Sequence, residues 1–191
     1  MASTALTWWR ADAQDALDGM VAVHGAVGGH GPGRRYATEQ VNNAYAVLLS
    51  SQFQKFCRDL HSQAADYVAN LTPASIRNVV LARFTEGRKL DTGNPNPGNL
   101  GSDFNRFGFR FWDEISSADA RNTNRQEKLQ ELNLWRNAIG HHDFSNPDLA
   151  GRTAVRLKEV DDWRRACGGL ATQFDLVLMR HLRTMSGVAP W

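Results

Sequence analysis

Residues 134–144 read LWRNAIGHHDF and place Arg136, Asn137, His141 and His142 within about two helical turns. Arginine can hold a phosphate through paired hydrogen bonds, and histidine can accept a proton near neutral pH. These groups could cleave RNA without a metal, because a histidine can deprotonate the 2′-hydroxyl while arginine stabilises the charge that develops at phosphorus. The expected product carries a 2′,3′-cyclic phosphate, and DNA, which lacks this hydroxyl, would not be cut. Asn137 could orient the histidine or bind the phosphate.

The position of Arg136 on its helix needs a reason. At about 100° per residue, it falls on the apolar stripe between Leu129 and Leu132. A guanidinium on a core-facing stripe is costly unless it is paired or functional. Either it is buried against a carboxylate such as Asp161 or Asp175, or it faces an interface or cleft and holds an anion.

His141 lies about 140° around the helix from Arg136, so one ideal helix does not aim both side chains at one atom. Gly140 could loosen the last turn and change that angle. Alternatively, a two-fold dimer places the same patch against itself, so that two arginines and two histidines converge. The dimer would provide a composite phosphate site.

Helical periodicity covers most of the chain, and no segment shows convincing strand alternation. We therefore predict a single all-α domain over residues 1–191, a helical bundle with two long helices and a Gly/Asn/Pro-rich loop at 88–101. Gly168 and Gly169 are expected to kink the last helix. The predicted helices span about residues 4–27, 38–71, 73–87, 124–141 and 158–186.

The composition is that of a globular protein, with 42% hydrophobic and 22% charged residues among 191. A net charge of +2 neither requires nor excludes a nucleic-acid partner. Cys57 and Cys167 lack metal-ligand spacing and are expected to be buried free thiols. No signal peptide or membrane-spanning apolar run is recognised, which favours a cytoplasmic protein.

The motif and its surroundings resemble the HEPN-domain proteins, in particular the branch called RiboL-PSP-like. Arg136, Asn137 and His141 form the RNxxxH version of that family's R-x4-6-H motif. The similarity covers roughly residues 38–186. It is carried by the runs NAYAVLLSSQFQKFCRDL, TPASIRNVV, LNLWRNAIGHHDF and LATQFDLVLMRHL, which follow in the order of that branch.

The resemblance implies an up-and-down bundle that forms a homodimer, with the motif at or near the dimer cleft. It implies a metal-independent endoribonuclease that needs no cofactor and acts in a toxin–antitoxin pair or in phage defence. An antitoxin or regulatory protein would then be a partner besides RNA. Arg136 and His141 would be the catalytic pair and Asn137 a polar helper, with His142 and Asp143 as auxiliary candidates.

Two positions depart from the family pattern. Asp143 stands where some toxins of the family carry a tyrosine that their antitoxins modify, and Gln54 stands where the branch often has an acid. These departures keep open a non-catalytic HEPN-like module that dimerises or binds a partner or nucleotide. A third alternative is an antitoxin-like or structural helical protein, in which Arg136 belongs to a buried charge network.

Basic and aromatic residues interleave between positions 77 and 111. Cations beside aromatic rings can hold single-stranded RNA by charge and stacking, although the rings are at least as well suited to a core. The candidate RNA-binding residues are Arg77, Arg83, Arg88, Lys89, Arg106 and Arg110, and the aromatic residues among them are Phe84, Phe104, Phe107, Phe109 and Phe111.

The other histidines do not form a metal motif. His24 and His30 flank a glycine-rich turn but have no close ligand spacing, so no metal site is predicted. His181 lies on the apolar stripe of the last predicted helix, which favours a histidine that is satisfied within the core.

Overall fold

The computed structural model describes residues 1–28 and 35–191, so His30 lies outside the described residues. Within them the fold is entirely helical and contains no strand, which confirms the all-α prediction. None of the described helices combines the length and apolar character that crossing a bilayer requires.

Four long helical segments agree with their predicted boundaries to within three residues. The first one contains a single π turn at Trp9–Ala13, between α1 and α2. The helices are α1 (Thr4–Trp8), α2 (Gln14–Gly28), α3 (Arg35–Asn70), α4 (Arg77–Thr85), α5 (Lys89–Thr92), α6 (Pro97–Phe104), α7 (Phe111–Ala118), α8 (Arg121–His141) and α9 (Leu157–Ser186).

The predicted start of α4 at Thr72-Pro73 is wrong. Thr72 donates its hydroxyl back to the carbonyl of Ala69 at 2.7 Å, so it closes α3 instead of opening the next helix. The new helix begins only at Arg77, after a turn.

The core lies around α3, which packs against α2, α4, α8 and α9. Aromatic rings dominate it: Trp9 contacts Phe53 at a centroid distance of 5.6 Å, and Phe53 contacts Phe174 of α9 at 6.0 Å. Cys57 and Cys167 are buried free thiols, as predicted, and burial raises the pKa of both. The core thus fixes α9 against α3, and α8 packs on both.

Helix α9 runs without a break through Gly168 and Gly169, where a kink is predicted. Gly169 has a different use: a Cβ there would lie 2.6 Å from Cζ of Arg125 on α8. The guanidinium occupies that space while it donates to Asp119 and Asn122. The glycine therefore permits a close approach between α8 and α9.

The prediction of a loop at 88–101 is wrong for most of that segment, which contains α5 and the start of α6. The buried carboxylate of Asp103 accepts hydrogen bonds from the backbone N–H groups of Lys89 and Leu90, at 2.9 and 2.8 Å, and so caps α5 from a distance. Asn96 caps α6 through its own side chain, with Pro97 at the first helical position.

A buried polar cluster joins this segment to α3. Arg88 donates to the hydroxyl of Ser62 at 2.8 Å and forms a two-pronged ion pair with Asp91. Its Nη1 also lies 3.5 Å from Nδ1 of His61, while Nε2 of His61 lies 3.2 Å from the carbonyl oxygen of Asp103. Because an arginine has only donors, Nδ1 of His61 must accept and Nε2 must donate, so the ring is neutral.

The neutral His61 makes stability depend on pH. Burial and the Arg88 cation lower the pKa of His61 to about 4. The unfolded chain binds this proton at about pH 6.5, so the free energy of unfolding falls as pH drops from about 6.5 to about 4. We expect a loss of about 3 kcal/mol across that window, measured by urea unfolding at pH 7 and pH 4. The variant His61→Gln should have a shallower slope there, and an unchanged slope would contradict this assignment.

Candidate functional site

The end of α8 positions the motif. Its last helical residue is His141, and His142 then adopts the left-handed conformation with φ of 52°. The backbone N–H of Asp143 donates to the carbonyl of Ala138 at 2.9 Å and closes the helix end. Gly140 remains in the helix, so it does not loosen the last turn as the sequence suggested.

A cavity of about 210 Å³ lies beside this helix end. Sites that enclose a whole small molecule usually measure about 300–1,000 Å³, so this one suits a single group of a larger ligand, such as one phosphodiester of a polymer. Its lining residues are Leu134, Asn137, Ala138, His141, Asp143 and Asn146.

His141 is exposed and lines the cavity, whereas the exposed His142 does not. The ring of His142 instead meets Phe144 edge-on at a centroid distance of 5.8 Å. The geometry therefore favours His141 as the histidine that meets a ligand.

Asp143 supplies a negative charge at the same cavity. Hydrogen bonds from Ser145, with a smaller contribution from the neighbouring His141, hold the pKa of Asp143 below its ordinary value. The backbone N–H of Ser145 donates to Oδ1 of Asp143 at 3.0 Å. The carboxylate therefore stays ionised near neutral pH, where it can stabilise a protonated His141.

Arg136 is half-buried, and its Nη1 donates to Oδ1 of Asn137 at 3.2 Å. Within residues 1–28 and 36–191 it forms no ion pair, with Asp161 or with any other acid. Asp175 instead accepts from the backbone N–H of Ser3 at 3.0 Å. The charge network that the structural alternative requires around Arg136 is not present in this part of the chain.

Arg136 does not line the cavity. One copy of the chain therefore brings His141, Asn137 and Asp143 together but does not add Arg136 to the same concave surface. Asn137 connects the two regions, since its amide contacts Arg136 and also lines the cavity.

A chain of asparagine amides leads from α6 to the motif. Asn94 donates to Oδ1 of Asn137 at 2.9 Å, across 43 positions of sequence, and Asn96 donates to Oδ1 of Asn94 at 2.7 Å. Sequence reasoning did not identify Asn94 or Asn96 as site residues. The run NPNPGN signalled only a turn, and it contains no information about which distant residue the turn contacts.

Gln54 holds the same segment in place. Its Nε2 donates to the carbonyl oxygens of Leu90 at 2.8 Å and Gly93 at 2.7 Å. An ionised carboxylate at this position could donate to neither. The glutamine that departs from the family pattern thus has a structural role in this chain.

The candidate RNA-binding cations divide into two groups. Arg88 is buried in the cluster with His61, and Arg106 donates to the carbonyls of Phe84, Glu86 and Gly87 at the end of α4. The expectation that Arg88 binds RNA is therefore corrected, because its side chain is buried and its donors are used within the protein. Arg106 is half-buried and lines a surface cavity with Arg83, so its role in RNA binding stays a prediction. The exposed cations of the set are Arg77, Arg83, Lys89 and Arg110.

The interleaved aromatic residues belong mainly to the core. Phe104, Phe107 and Phe111 are buried, and Phe84 stacks on Phe107 at a centroid distance of 4.8 Å. These three rings are therefore not accessible for stacking on RNA bases.

His181 has its partners within the protein, as its place on the apolar stripe predicted. Its ring stacks on Phe109 at 4.3 Å, and its Nε2 lies 2.9 Å from the carbonyl of Phe107. His24 likewise contacts Oδ1 of Asn42 at 2.8 Å. No group of three His, Cys, Asp or Glu residues in the described ranges lies close enough to hold a metal.

Comparison with family models, with curated proteins and with solved structures gives no match. The motif and the arrangement of side chains around the end of α8 are therefore the features that indicate a function.

Proposed function

We propose that this protein is a metal-independent endoribonuclease of the HEPN type. The supporting observation is that an exposed His141, an ionised Asp143 and the amide of Asn137 line one cavity of about 210 Å³. Arg136, which has no ion-pair partner in the described part of the chain, contacts the same amide.

The chemistry follows from the functional groups. Neutral His141 takes the proton of the 2′-hydroxyl, and the oxygen attacks the adjacent phosphorus. The bond from phosphorus to the 5′-oxygen breaks, and that oxygen takes a proton as it leaves. The products are a 2′,3′-cyclic phosphate and a 5′-hydroxyl. Arg136 stabilises the negative charge on phosphorus, and Asp143 stabilises the imidazolium of His141.

A homodimer completes this proposal. Because Arg136 lies outside the cavity that His141 lines, a two-fold arrangement would let the arginine of one copy serve the cavity of the other. The proposed bundle is therefore HEPN-like and dimeric, with the motif near the two-fold axis.

The exposed cations Arg77, Arg83, Lys89 and Arg110 would supply positive charge that attracts RNA to the protein. An uncontrolled ribonuclease would harm its own cell, so we propose a neutralising antitoxin or another regulatory protein as a partner. A role in a toxin–antitoxin pair or in phage defence agrees with this need.

A non-catalytic HEPN-like module, which dimerises or binds a partner or nucleotide, is the second candidate. The separation of Arg136 from the cavity favours it, since a single copy does not assemble both groups of the motif around one ligand. The two candidates differ in whether the purified protein breaks RNA.

The decisive experiment is RNA cleavage in EDTA, with a labelled single-stranded RNA and a DNA of the same sequence. We expect cleavage of the RNA alone, with cyclic-phosphate ends. Arg136→Ala should lower the rate by about 10²–10³-fold, as the loss of one transition-state donor does elsewhere. Its free energy of unfolding should fall by only about 1 kcal/mol, because the change removes a half-buried side chain and its hydrogen bond to Asn137 but no ion pair within the described ranges.

Arg180→Ala, which removes an exposed arginine of α9, is the matched control and should leave cleavage unchanged. A folded protein that binds RNA but cuts none would contradict the enzyme and support the binding module. Collapse of the fold in Arg136→Ala would instead support the structural alternative.

A further inference from the structure

We propose that Asn137 is the donor that binds the phosphate, and that Asn94 and Asn96 are positioning residues that hold its amide nitrogen toward the cavity. This inference rests on the proposed function. It decides between the two roles that the sequence leaves open for Asn137, which are to orient the histidine or to bind the phosphate.

The orientation of the Asn137 amide is fixed first by Arg136. A guanidinium has only donors, so the atom that Nη1 approaches at 3.2 Å must be the carbonyl oxygen of Asn137. Asn94 donates to the same oxygen at 2.9 Å. Both lone pairs of Oδ1 are then in use, and Nδ2 is the group of Asn137 that remains available to a ligand.

The same orientation follows independently from the other end of the amide chain. The backbone N–H of Asn99 can only donate, and it donates to Oδ1 of Asn96 at 2.8 Å. Asn96 must therefore direct its Nδ2 at Oδ1 of Asn94, which it does at 2.7 Å. Asn94 in turn can direct only its Nδ2 at Asn137. The guanidinium of Arg136 and the backbone N–H of Asn99, one at each end, cannot accept a hydrogen bond. Together they impose one donor-to-acceptor direction on the whole amide chain.

Further hydrogen bonds hold the segment that contains Asn94 and Asn96 in place. Besides the two hydrogen bonds from Gln54, Nδ2 of Asn99 donates to the backbone carbonyl of Asn94 at 2.8 Å. Nδ2 of the buried Asn133 on α8 donates to the carbonyl of Pro95 at 3.2 Å. A Cβ at Gly93 would lie 2.6 Å from Nδ2 of Asn99, so a larger residue there would displace the Asn99 side chain from its present position.

This direction determines what Asn137 can do. An amide nitrogen donates, so it can bind an anionic oxygen but cannot accept an N–H from the imidazole of His141. If it donated to the basic nitrogen of His141, it would block the atom that must take the proton. The phosphate oxygen is therefore its appropriate ligand.

The test uses side-chain amide NMR, with inorganic phosphate as the probe and no dependence on cleavage. The side-chain amide resonances of Asn137 are assigned as those that disappear from the spectrum of Asn137→Asp. Phosphate should shift them in the wild type. In Asn94→Asp the new carboxylate cannot donate to Oδ1 of Asn137 and accepts from its Nδ2 instead, which draws the nitrogen away from the cavity against the one remaining hydrogen bond from Arg136. The shift should therefore shrink.

Asn146→Asp is the matched control, because it adds the same charge at the cavity while a carboxylate keeps the bond that Asn146 accepts from the backbone N–H of Asp148 at 2.9 Å. The phosphate shift at Asn137 should persist there. The inference is overturned if phosphate leaves the Asn137 resonances unmoved in the wild type, or moves them equally in Asn94→Asp.

Cleavage provides the second readout. Asn94→Asp should lower kcat/KM about tenfold, and Asn146→Asp should lower it less. If the wild type cuts no RNA, the nuclease proposal fails, whereas the phosphate titration still decides which atom of Asn137 faces the ligand.

Discussion

Replacement of His141 by alanine is expected to lower RNA cleavage by about 10²–10⁴-fold, the usual contribution of a general base. His141 is exposed and lines the cavity beside the ionised Asp143, so it can exchange a proton with a bound ribose hydroxyl. Initial rates on one labelled RNA, in EDTA and at fixed pH, measure the effect. The free energy of unfolding should be unchanged within about 0.5 kcal/mol, because an exposed side chain is removed.

His142→Gly is the control that separates the two adjacent histidines. Position 142 has a φ of 52°, which glycine adopts without the steric cost that a side chain incurs. We therefore expect the variant to be more stable by up to about 1 kcal/mol and to cleave RNA within about twofold of the wild type. Full activity in His141→Ala together with loss of activity in His142→Gly would reverse the assignment of the base.

Replacement of Arg88 by methionine is expected to lower the free energy of unfolding by about 3 kcal/mol. The change leaves the buried His61 without the donor at its Nδ1 and removes the partners of Ser62 and Asp91. It also removes the hydrogen bond from Arg88 to Ser62 of α3, although the hydrogen bonds from Gln54 still connect α3 to the α5 segment. Urea unfolding at pH 7 measures the loss.

Lys89→Met, the matched control, alters the next residue, which is exposed, and should change stability by less than about 0.5 kcal/mol. If the two variants unfold at the same urea concentration, the buried cluster contributes far less than proposed. An effect of Arg88→Met on RNA binding alone, with stability unchanged, would return Arg88 to the RNA-binding surface.

The long helices α3, α8 and α9 could be predicted because each has apolar residues that recur at helical spacing and are buried. In α9, for example, Val160, Trp163, Cys167 and Leu170 recur at helical spacing and are all buried. The short helices α5 and α6 carry no such signal. Their glycines, prolines and asparagines indicate a loop, and their stability comes from distant groups, namely the carboxylate of Asp103 and the amide of Gln54.

The candidate site could be predicted in part. Arg136, Asn137 and His141 share one motif, so their types and spacing indicate their chemistry directly. Asn94 could not be found in this way, since its role depends on a contact across 43 positions. For Arg88 the sequence indicates a surface position, because it is a cation in a polar run. The fold buries it instead.

The hydrogen bonds of the amide chain also connect the first turn of α6 with the cavity. The two regions therefore belong to one equilibrium. The N–H of Asn99 belongs to that turn, and through Asn96 and Asn94 it sets the direction in which Asn137 donates. In the proposed binding mode, thermodynamic linkage makes two free energies equal: the one by which the intact first turn of α6 favours a ligand at Asn137, and the one by which that ligand protects the turn against fraying. Substitutions that loosen α6 should therefore weaken binding at a site that they do not touch.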